Sequence, residues 1–303
     1  MPSRDFERLV KSCYSSWSGD YYEQYYGKNA PYPPVHKDLI KKLLVDAGAR
    51  RILDAGCGPA SFLRELDGKV FDLYGFDLTP EMVSEARRII AQKGVPPDHI
   101  WLGSVVSSES FRRPGRKRTF LFDAVVCVGV LPHIPEDTEG TVFENMRNAV
   151  KKNGLVVIEA RNQLFSMFTL NRYSYYFFRD ELIKEAGLKR RTGAEAAAFE
   201  RAMRELKKMF RIDLPAERKG RKGNPGYDEV LSRTHNPIVL KDQFSRSGFK
   251  DIKLLFYHYH CLPPVMEKVV PSLFRKESLG MERPDDWRGY FMASAFLLAG
   301  RRK

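Results

Sequence analysis

Short apolar runs alternate with amphipathic stretches along much of the chain. Five runs rich in Val, Ile, Leu and Phe predict buried strands, at residues 51–55, 70–76, 99–103, 123–128 and 154–159. Residues 80–92 carry apolar positions at helical spacing, with Thr79 as a candidate cap and Pro80 in the first turn. Strands and helices alternating at this spacing predict an α/β fold with a doubly wound, mostly parallel sheet.

The alternation breaks after the fifth strand. Residues 162–235 show helical patterns without a convincing strand. The alternation of helices and strands then continues with a helix near 241–247 and strands near 251–260 and 290–299. We expect residues 162–235 to form a helical cap on the side where open α/β sheets bind ligands. The predicted division is an N-terminal helical segment (1–50) that closes over a ligand, a core (51–161), the cap (162–235) and the remainder of the core (236–303).

Composition and charge narrow the class of protein. Hydrophobic residues make up 43% of the chain, enough for a sizeable core, which excludes disordered and collagen-like classes. No apolar run reaches the roughly 20 residues that span a bilayer, and four cysteines without metal-ligand spacing predict a reducing, cytoplasmic location. The net charge of +13 leaves nucleic acid, an anionic membrane surface and a phosphorylated or acidic substrate open as partners.

The segment after the first strand carries the most chemical information. Gly56 and Gly58 lie at a predicted strand-to-helix turn, where glycine lets the backbone approach a ligand and a helix N-terminus favours an anionic group. Asp54 precedes this turn, and Asp77 ends the second strand 21 residues after Gly56. An acidic side chain there is placed to accept both hydroxyls of an adenosine ribose. Alternatively, Asp77 caps the helix that begins at Pro80.

This combination resembles the class I S-adenosylmethionine-dependent methyltransferases, over about residues 35–160 and 236–302. The resemblance implies a Rossmann-like sheet of seven strands whose last strand is antiparallel, and S-adenosyl-L-methionine as the cofactor. The cofactor-binding residues that it implies are Asp54, Gly56 and Gly58 at the methionine moiety, Asp77 at the ribose, Leu78 and Met82 near the adenine, and Val128 in the loop that faces the donor methyl group.

Three positions depart from the family pattern. Ala60 stands where the third glycine of the turn is usual, and it is small enough to keep a helix and strand close. The acid that usually contacts the adenine amine after strand three is replaced by residues 103–105 (GSV), so Ser104 becomes the candidate there. The turn before strand five reads KNGL at 152–155 instead of lysine-proline-glycine-glycine. Ala60 and Ser61 also break the GxGxxG fingerprint, which disfavours an NAD(P) enzyme.

His133, just beyond strand four, is the candidate catalytic residue. Methyl transfer is an in-line displacement from a sulfonium, and an oxygen or nitrogen nucleophile that carries a proton must lose it. Histidine titrates near neutrality and therefore suits a general base. The alternative is that His133 only orders its loop.

Aromatic and histidine side chains are candidates for an acceptor pocket. Residues 257–260 (YHYH) follow the two-residue period of a strand, which predicts both histidines on one face and both tyrosines on the other. The candidate acceptor-binding residues are Tyr173, Tyr176, His258 and His260. The histidine pair lacks a third ligand nearby, so no metal site is predicted. The tyrosine-rich run 21–26 either closes over the cofactor, where aromatic faces attract a sulfonium, or packs as an ordinary helix.

The predicted acceptor is a small molecule. Enzymes that methylate exocyclic amines of nucleic acids carry an Asn/Asp-Pro-Pro-aromatic motif after strand four, where this chain reads VGVLPH at 128–133. We therefore predict methyl transfer to an oxygen or nitrogen of a small biosynthetic metabolite, with a sugar or a nucleotide-linked intermediate as one candidate. A non-catalytic cofactor-binding scaffold is one alternative.

RNA or protein methylation by a basic surface is the other alternative. Its support comes from clusters of arginine and lysine that have the charge to follow a phosphate backbone. These clusters are Arg112-Arg113, Arg116-Lys117-Arg118, Lys189-Arg190-Arg191, Arg218-Lys219 with Arg221-Lys222, and Arg301-Arg302-Lys303. They fit equally well as solvated loops or as a site for a phosphorylated substrate. The oligomeric state is left open.

Overall fold

Seven strands form one sheet in the computed structural model, which describes residues 3–15, 21–27, 33–115, 120–183, 193–213, 223, 225 and 229–303. The strands are β1 Arg51–Ala55, β2 Asp72–Asp77, β3 Ile100–Leu102, β4 Phe122–Cys127, β5 Val150–Arg161, β6 Phe249–Tyr259 and β7 Ala293–Arg302. Their order is β3-β2-β1-β4-β5-β7-β6, with β1 to β5 parallel and β7 antiparallel to both neighbours. The predicted doubly wound, mostly parallel sheet with an antiparallel last strand is confirmed.

Helices cover both faces of this sheet. The helices are α1 Ser3–Ser15, α2 Tyr21–Tyr25, α3 Val35–Asp46, α4 Pro80–Ala91, α5 Glu136–Ala149, α6 Arg172–Tyr176, α7 Gly193–Lys208, α8 Pro237–Arg246, α9 Pro271–Gly280 and α10 Gly289–Met292. Neighbouring residues of one strand enter opposite core clusters: Leu53 packs on the face covered by α5 and α8, and Ile52 on the face covered by α3 and α4. Burial on both faces explains why the inner strands read as continuous apolar runs. None of the helices in these described ranges is long and apolar enough to cross a bilayer.

The chain between β1 and β2 differs from the prediction, because no α-helix follows the glycine turn. The described segment holds only a 3₁₀ turn, Leu63–Glu65. Ala60 adopts a left-handed backbone (φ +58°) and Pro59 has no N–H to donate, and both features oppose a regular helix here. A helix N-terminus is therefore not the device that holds an anionic group at this turn.

α4 begins where the sequence predicts, but Thr79 does not cap it with its side chain. Thr79 occupies the N-cap position and makes no side-chain bond to the helix. Instead, the Asp77 carboxylate accepts a hydrogen bond of 2.9 Å from the Thr79 backbone N–H. The last residue of β2 and the start of α4 are thus joined through Asp77.

Most of the described chain between β5 and α8 is helical, although residues 209–213 and 231–236 are not, and isolated β-bridges join Asn171 to Arg211 and Asn162 to His235. A 3₁₀ segment, Leu164–Phe168, leads into α6, which continues as a π-helix over Phe177–Ile183, and α7 follows. Asn162 anchors the start of this region, because its buried side-chain amide donates to the carbonyls of Gly289, Tyr290 and Ala293. The role of residues 162–235 as a cap stays a prediction.

The end of β6 departs from strict strand alternation. His258 has a left-handed backbone (φ +57°), which is uncommon for a residue other than glycine. Tyr257 and Tyr259 consequently enter different core clusters, on opposite faces of the sheet. The prediction that both tyrosines share one face is wrong, because it assumed a regular pleat through His258.

Asn236 offers a test of the local stability of α8. Its side-chain oxygen accepts from the backbone N–H groups of Ile238 and Val239, at 3.0 and 3.4 Å. Replacing Asn236 with Ala removes this cap, so we expect the free energy of unfolding to fall by about 1 kcal/mol in urea titrations. Asn236→Ser, which keeps an acceptor oxygen, is expected to recover most of the loss, and an Ala variant as stable as the wild type would contradict the capping role.

Candidate functional site

A cavity lies at the carboxyl ends of β1 to β4, and we call it the donor cavity. Eight of the predicted site residues line it: Gly56, Gly58, Asp77, Leu78, Met82, Ser104, Val128 and His133. Helix α1 covers it with Phe6, Glu7, Val10 and Tyr14. The parallel strands bring these residues together because their carboxyl ends meet at one edge of the sheet.

The backbone of the glycine turn after β1 leaves room for a ligand to come close to it. Gly56 has φ +86°, and a Cβ placed there would lie 2.3 Å from the Val130 side chain, so no larger residue fits. The backbone N–H groups of Gly56 and Cys57 both donate to the Phe76 carbonyl at 2.9 Å, and the Gly58 N–H donates to Asp77 at 2.9 Å. The turn after β1 is therefore fastened to the end of β2.

Asp77 is the central carboxylate of the donor cavity. One of its oxygens accepts from Gly58 N–H and the other from Thr79 N–H, each at 2.9 Å. Desolvation in the cavity raises the pKa of Asp77, whereas these backbone hydrogen bonds act in the opposite direction. These bonds fix the orientation of the carboxylate at the lining of the donor cavity.

Asp54 lies outside the lining of the donor cavity, unlike its predicted neighbours. Its side chain is only 2% exposed, within β1. Burial, together with the negative charge of Asp77, raises the pKa of Asp54 to about 8, so this carboxyl holds its proton at neutral pH. Its predicted contact with the methionine moiety stays a prediction.

Helix α1 supplies side chains to the donor cavity that were not singled out from the sequence, where only closure of the whole segment 1–50 over a ligand was predicted. Phe6, Val10 and Tyr14 recur at four-residue spacing and so share the helix face that lies over the cavity. The Ser104 hydroxyl donates to the Glu7 carboxylate, and Ser15 donates to Glu81 of α4 at 2.9 Å. The amphipathic spacing was visible in the sequence, but the strand ends that it covers lie about 100 positions away.

A second cavity adjoins the first, and we call it the acceptor cavity. It is lined by Tyr14, Tyr21, Tyr25, Tyr26, His36, Val128, Gly129, Pro132, Glu159, Arg161, Tyr257, His258, Ser294 and Ala295. Tyr14, Tyr21, Val128 and Gly129 line both cavities. The two cavities are thus adjacent at these four residues.

A charged pair from β5 forms one wall of the acceptor cavity. Glu159 accepts from the Gly129 N–H at 2.5 Å and from the Tyr257 hydroxyl at 2.7 Å. Arg161, two residues further along the strand, donates to Ser232 at 2.8 Å. The Glu159 carboxylate therefore holds the shared Gly129 loop against β6.

His36, in the wall of the acceptor cavity, has a ring nitrogen without a hydrogen-bond partner in the described part of the chain. Its Nε2 pairs with the Tyr26 hydroxyl at 3.0 Å, but its Nδ1 is buried without a hydrogen-bond partner among the described residues. Burial lowers the pKa of His36 to about 4, with a smaller effect from Lys37, so the ring is neutral. A buried polar atom without a partner is uncommon and marks a place where a ligand or water completes the bonding.

His133 is held by hydrogen bonds at both ring nitrogens. Nδ1 lies 2.6 Å from the Leu231 carbonyl, which only accepts, so Nδ1 carries the proton. Nε2 then accepts from the Tyr14 hydroxyl at 2.8 Å. Burial lowers the pKa of His133 to about 4, and this neutral state agrees with both bonds. The geometry favours an ordering role for His133 over that of a general base.

The predicted acceptor-binding residues are scattered. His258 lines the acceptor cavity, whereas His260 packs between the rings of Phe165 and Phe274, with centroid distances of 4.8 and 5.6 Å. Tyr173 and Tyr176 are 44% and 41% exposed, and neither lines the donor or the acceptor cavity. Within the described ranges no group of three or more candidate metal ligands occurs.

The basic clusters among the described residues form ion pairs and hydrogen bonds within the chain. Arg112 pairs with Glu109 at 2.8 Å and Arg113 with Asp98 at 3.0 Å. The last cluster, 301–303, donates to backbone carbonyls through all three side chains. The clusters at 116–118, 189–191 and 218–222 lie outside the described residues.

Known proteins match this arrangement at the level of family and fold. A ubiquinone biosynthesis O-methyltransferase of Xanthomonas axonopodis pv. citri is 28% identical over 137 residues, 45% of this chain and 53% of the relative. The chain thus spans about half the length of the curated relatives that it matches.

Two solved structures share the fold over nearly their whole length. The DhpI complex with S-adenosylhomocysteine has a TM-score of 0.53 at 15% identity and covers 99% of this chain and 98% of its own. Magnesium protoporphyrin IX methyltransferase from Synechocystis PCC 6803, with the same ligand, has a TM-score of 0.50 at 12% identity and covers 99% and 100%. The methyltransferase-domain family matches residues 26–211 of this chain. The chain therefore belongs to the methyltransferase-domain family, with the Rossmann-like fold of S-adenosylmethionine-dependent enzymes.

Proposed function

We propose that this protein transfers the methyl group of S-adenosylmethionine to an oxygen or nitrogen of a small biosynthetic metabolite bound in the acceptor cavity. The observation that carries the proposal is the wall shared by the donor and acceptor cavities, formed by Tyr14, Tyr21, Val128 and Gly129. Methyl transfer requires donor and acceptor to meet in line, with water excluded. Two adjoining cavities beneath one N-terminal cover meet this requirement.

The residues of the donor cavity fit the parts of the cofactor. When bound, S-adenosylmethionine supplies an electrophilic methyl group on a sulfonium. The Asp77 carboxylate lines the donor cavity, which supports its assignment to the ribose hydroxyls. Gly56 carries no side chain, which supports a close approach of the backbone to the amino-acid end of the cofactor. Aromatic faces attract a cation, so Tyr21, above Gly58 and Gly129, suits a place beside the sulfonium.

The acceptor cavity favours a compact, polar molecule. Five tyrosines supply flat apolar faces with hydroxyl groups, while Glu159 and Arg161 supply one charge of each sign. The unpartnered Nδ1 of His36 offers a further hydrogen bond. A metabolite with ring character and several hydroxyl or amino groups, such as a sugar or a nucleotide-linked intermediate, matches these groups.

An acceptor screen tests the proposal. The protein is incubated with S-adenosylmethionine and a panel of hydroxyl- and amine-bearing metabolites, and products are measured by mass spectrometry for the added methyl group. Methylation of a small molecule supports the proposal. Methylation confined to RNA, with binding that weakens steeply as salt rises, would replace it with the nucleic-acid alternative. Cofactor binding without methylation in any acceptor class would favour a non-catalytic scaffold.

Tyr257→Phe tests the acceptor cavity separately from the donor cavity. The change removes the hydroxyl that donates to Glu159 and leaves the ring in place. We expect kcat/KM for the acceptor to fall about 10-fold, the cost of one hydrogen bond to a charged group, with the Kd for S-adenosylhomocysteine unchanged.

Tyr259→Phe is the matched control for this variant. Tyr259 lies two residues further along β6, and its hydroxyl donates to the carbonyls of Arg283 and Asp286, outside both cavities. We expect this change to leave kcat/KM unaltered at a similar cost in stability. Equal losses of activity in the two variants would show that the effect is general destabilisation of β6 and would remove Tyr257 from the acceptor site.

A further inference from the structure

The order of the strands in the sheet sets the order of the lining residues along the donor cavity. The sheet runs β3-β2-β1-β4, so Ser104 after β3, Asp77 at the end of β2, the glycine turn after β1 and Gly129 after β4 follow one another across it. The acceptor cavity adjoins at the β4 end, through Val128 and Gly129. The reacting end of a ligand therefore lies towards β4, and the part furthest from the reaction lies towards β3.

Helix α1 spans this distance. Tyr14, near its C-terminal end, bonds to His133 beyond β4, whereas Glu7 bonds to Ser104 beyond β3. Seven residues of α-helix correspond to about 10 Å, and positions seven apart lie on nearly the same face. Glu7 consequently marks the end of the cavity that is remote from the acceptor.

Glu7 is a carboxylate in a largely apolar part of the cavity. Phe6 and Val10 from α1 and Phe76, Leu78, Met82 and Val105 from the sheet side supply the apolar surface there. Among the described residues that line the donor cavity, the other carboxylate is Asp77, which the glycine turn and α4 already engage. A flat apolar space with one acceptor group at its edge suits an aromatic base that carries an amino group.

The Ser104 hydroxyl makes two hydrogen bonds within the protein. It donates to Glu7 and accepts from the Val106 N–H at 3.2 Å. Its proton is therefore directed at the carboxylate and orients it, which leaves Glu7 as the hydrogen-bond acceptor available to a ligand. Because Glu7 comes from α1, recognition by this group also holds the helix over the cavity.

We propose that Glu7, oriented by Ser104, recognises the exocyclic amino group of the adenine base and makes the donor site selective for a 6-amino purine. This inference rests on the proposed function, since it assumes that an adenosyl cofactor fills the donor cavity. A site built around an N–H group of its ligand rejects an analogue that lacks that group, because the acceptor on the protein is then left unpaired or faces another acceptor.

Calorimetric titration with two ligands measures this selectivity. S-adenosylhomocysteine carries the 6-amino group, and S-inosylhomocysteine carries a carbonyl oxygen in its place. We expect the wild-type protein to bind the adenosyl ligand at least about 10-fold more tightly, and Glu7→Gln to reduce this ratio to about 3-fold or less, chiefly through weaker binding of the adenosyl ligand. Circular dichroism melting of each variant verifies that the fold is retained.

Glu81→Gln is the control, because it weakens the contact between α1 and α4 through Ser15 without touching the donor cavity. We expect it to keep the full wild-type ratio between the two ligands. If Glu7→Gln weakens both ligands equally, Glu7 only fastens α1 and the inference is overturned; an unchanged ratio overturns it as well. A wild-type protein that binds neither ligand would instead overturn the proposed function itself.

Discussion

Asp77→Ala is expected to raise the Kd for S-adenosylhomocysteine at least about 100-fold in calorimetric titration. Hydrogen bonds to a charged group contribute about 1.5–3 kcal/mol each, and the ribose offers two hydroxyls to this carboxylate. The same side chain also fastens the Gly58 turn to the start of α4. Its removal therefore takes away both the contact with the ligand and the support of the cradle beside it.

Asp72→Ala provides a matched control on the same strand. Asp72 begins β2, at the opposite edge of the sheet from the donor cavity, where it pairs with Arg51 at 3.3 Å and accepts from Tyr74. We expect the variant to bind S-adenosylhomocysteine with wild-type affinity. If Asp77→Ala also binds normally, Asp77 does no more than join β2 to α4, and the ribose contact is lost from the proposal.

The buried sheet could be predicted because its signal is local. Residues 123–128 and 154–159 are apolar without alternation, since each strand is covered on both faces, and Asp77 stands out as a charge at the end of such a run. The predicted start of α4 at Pro80 is also correct. These features depend on neighbours within a few residues, which is the range that a sequence pattern reports.

The features that the sequence did not reveal depend on distant contacts or on unusual backbone. A helical stripe shows that α1 buries one face, but not that Tyr14 meets His133 119 positions later or that Glu7 meets Ser104 97 positions later. The left-handed backbone of His258 leaves no mark in an alternating YHYH pattern. Exposed tyrosines such as Tyr173 have the same sequence signature as tyrosines that line a pocket.

His133→Ala is expected to lower turnover about 100-fold while the Kd for S-adenosylhomocysteine stays within about 2-fold of the wild type. His133 fixes the Tyr14 hydroxyl at the wall between the cavities and ties its loop to the Leu231 carbonyl. A displacement of about 1 Å in a reacting pair costs on the order of 100-fold in rate. Single-turnover kinetics at saturating cofactor measure the loss in the chemical step.

The pH dependence separates positioning from general-base catalysis. With a pKa lowered from 6.5 to about 4, His133 is neutral at every pH above 5, so it gives turnover no inflection near pH 6.5. The sign for stability follows from the same shift. Between about pH 6.5 and 4 the unfolded state binds the extra proton, so stability falls as the pH is lowered through this window. Circular dichroism at each assay pH therefore verifies that the protein is folded, so that loss of fold does not imitate loss of a base.

A double-mutant cycle between His133 and Tyr14 distinguishes the two roles of His133. If His133 acts by orienting the Tyr14 hydroxyl, Tyr14→Phe lowers turnover by a similar factor, and the double variant with His133→Ala is no slower than either single one. His133→Gln, whose amide oxygen can accept from Tyr14, is expected to recover part of the activity. A general base that titrates near the ordinary histidine pKa of 6.5 predicts the opposite pattern: Gln as inactive as Ala, losses that multiply, and turnover that declines as the pH falls through about 6.5. Observing that pattern would return His133 to the role of proton acceptor and leave Tyr14 as packing for the cavity wall.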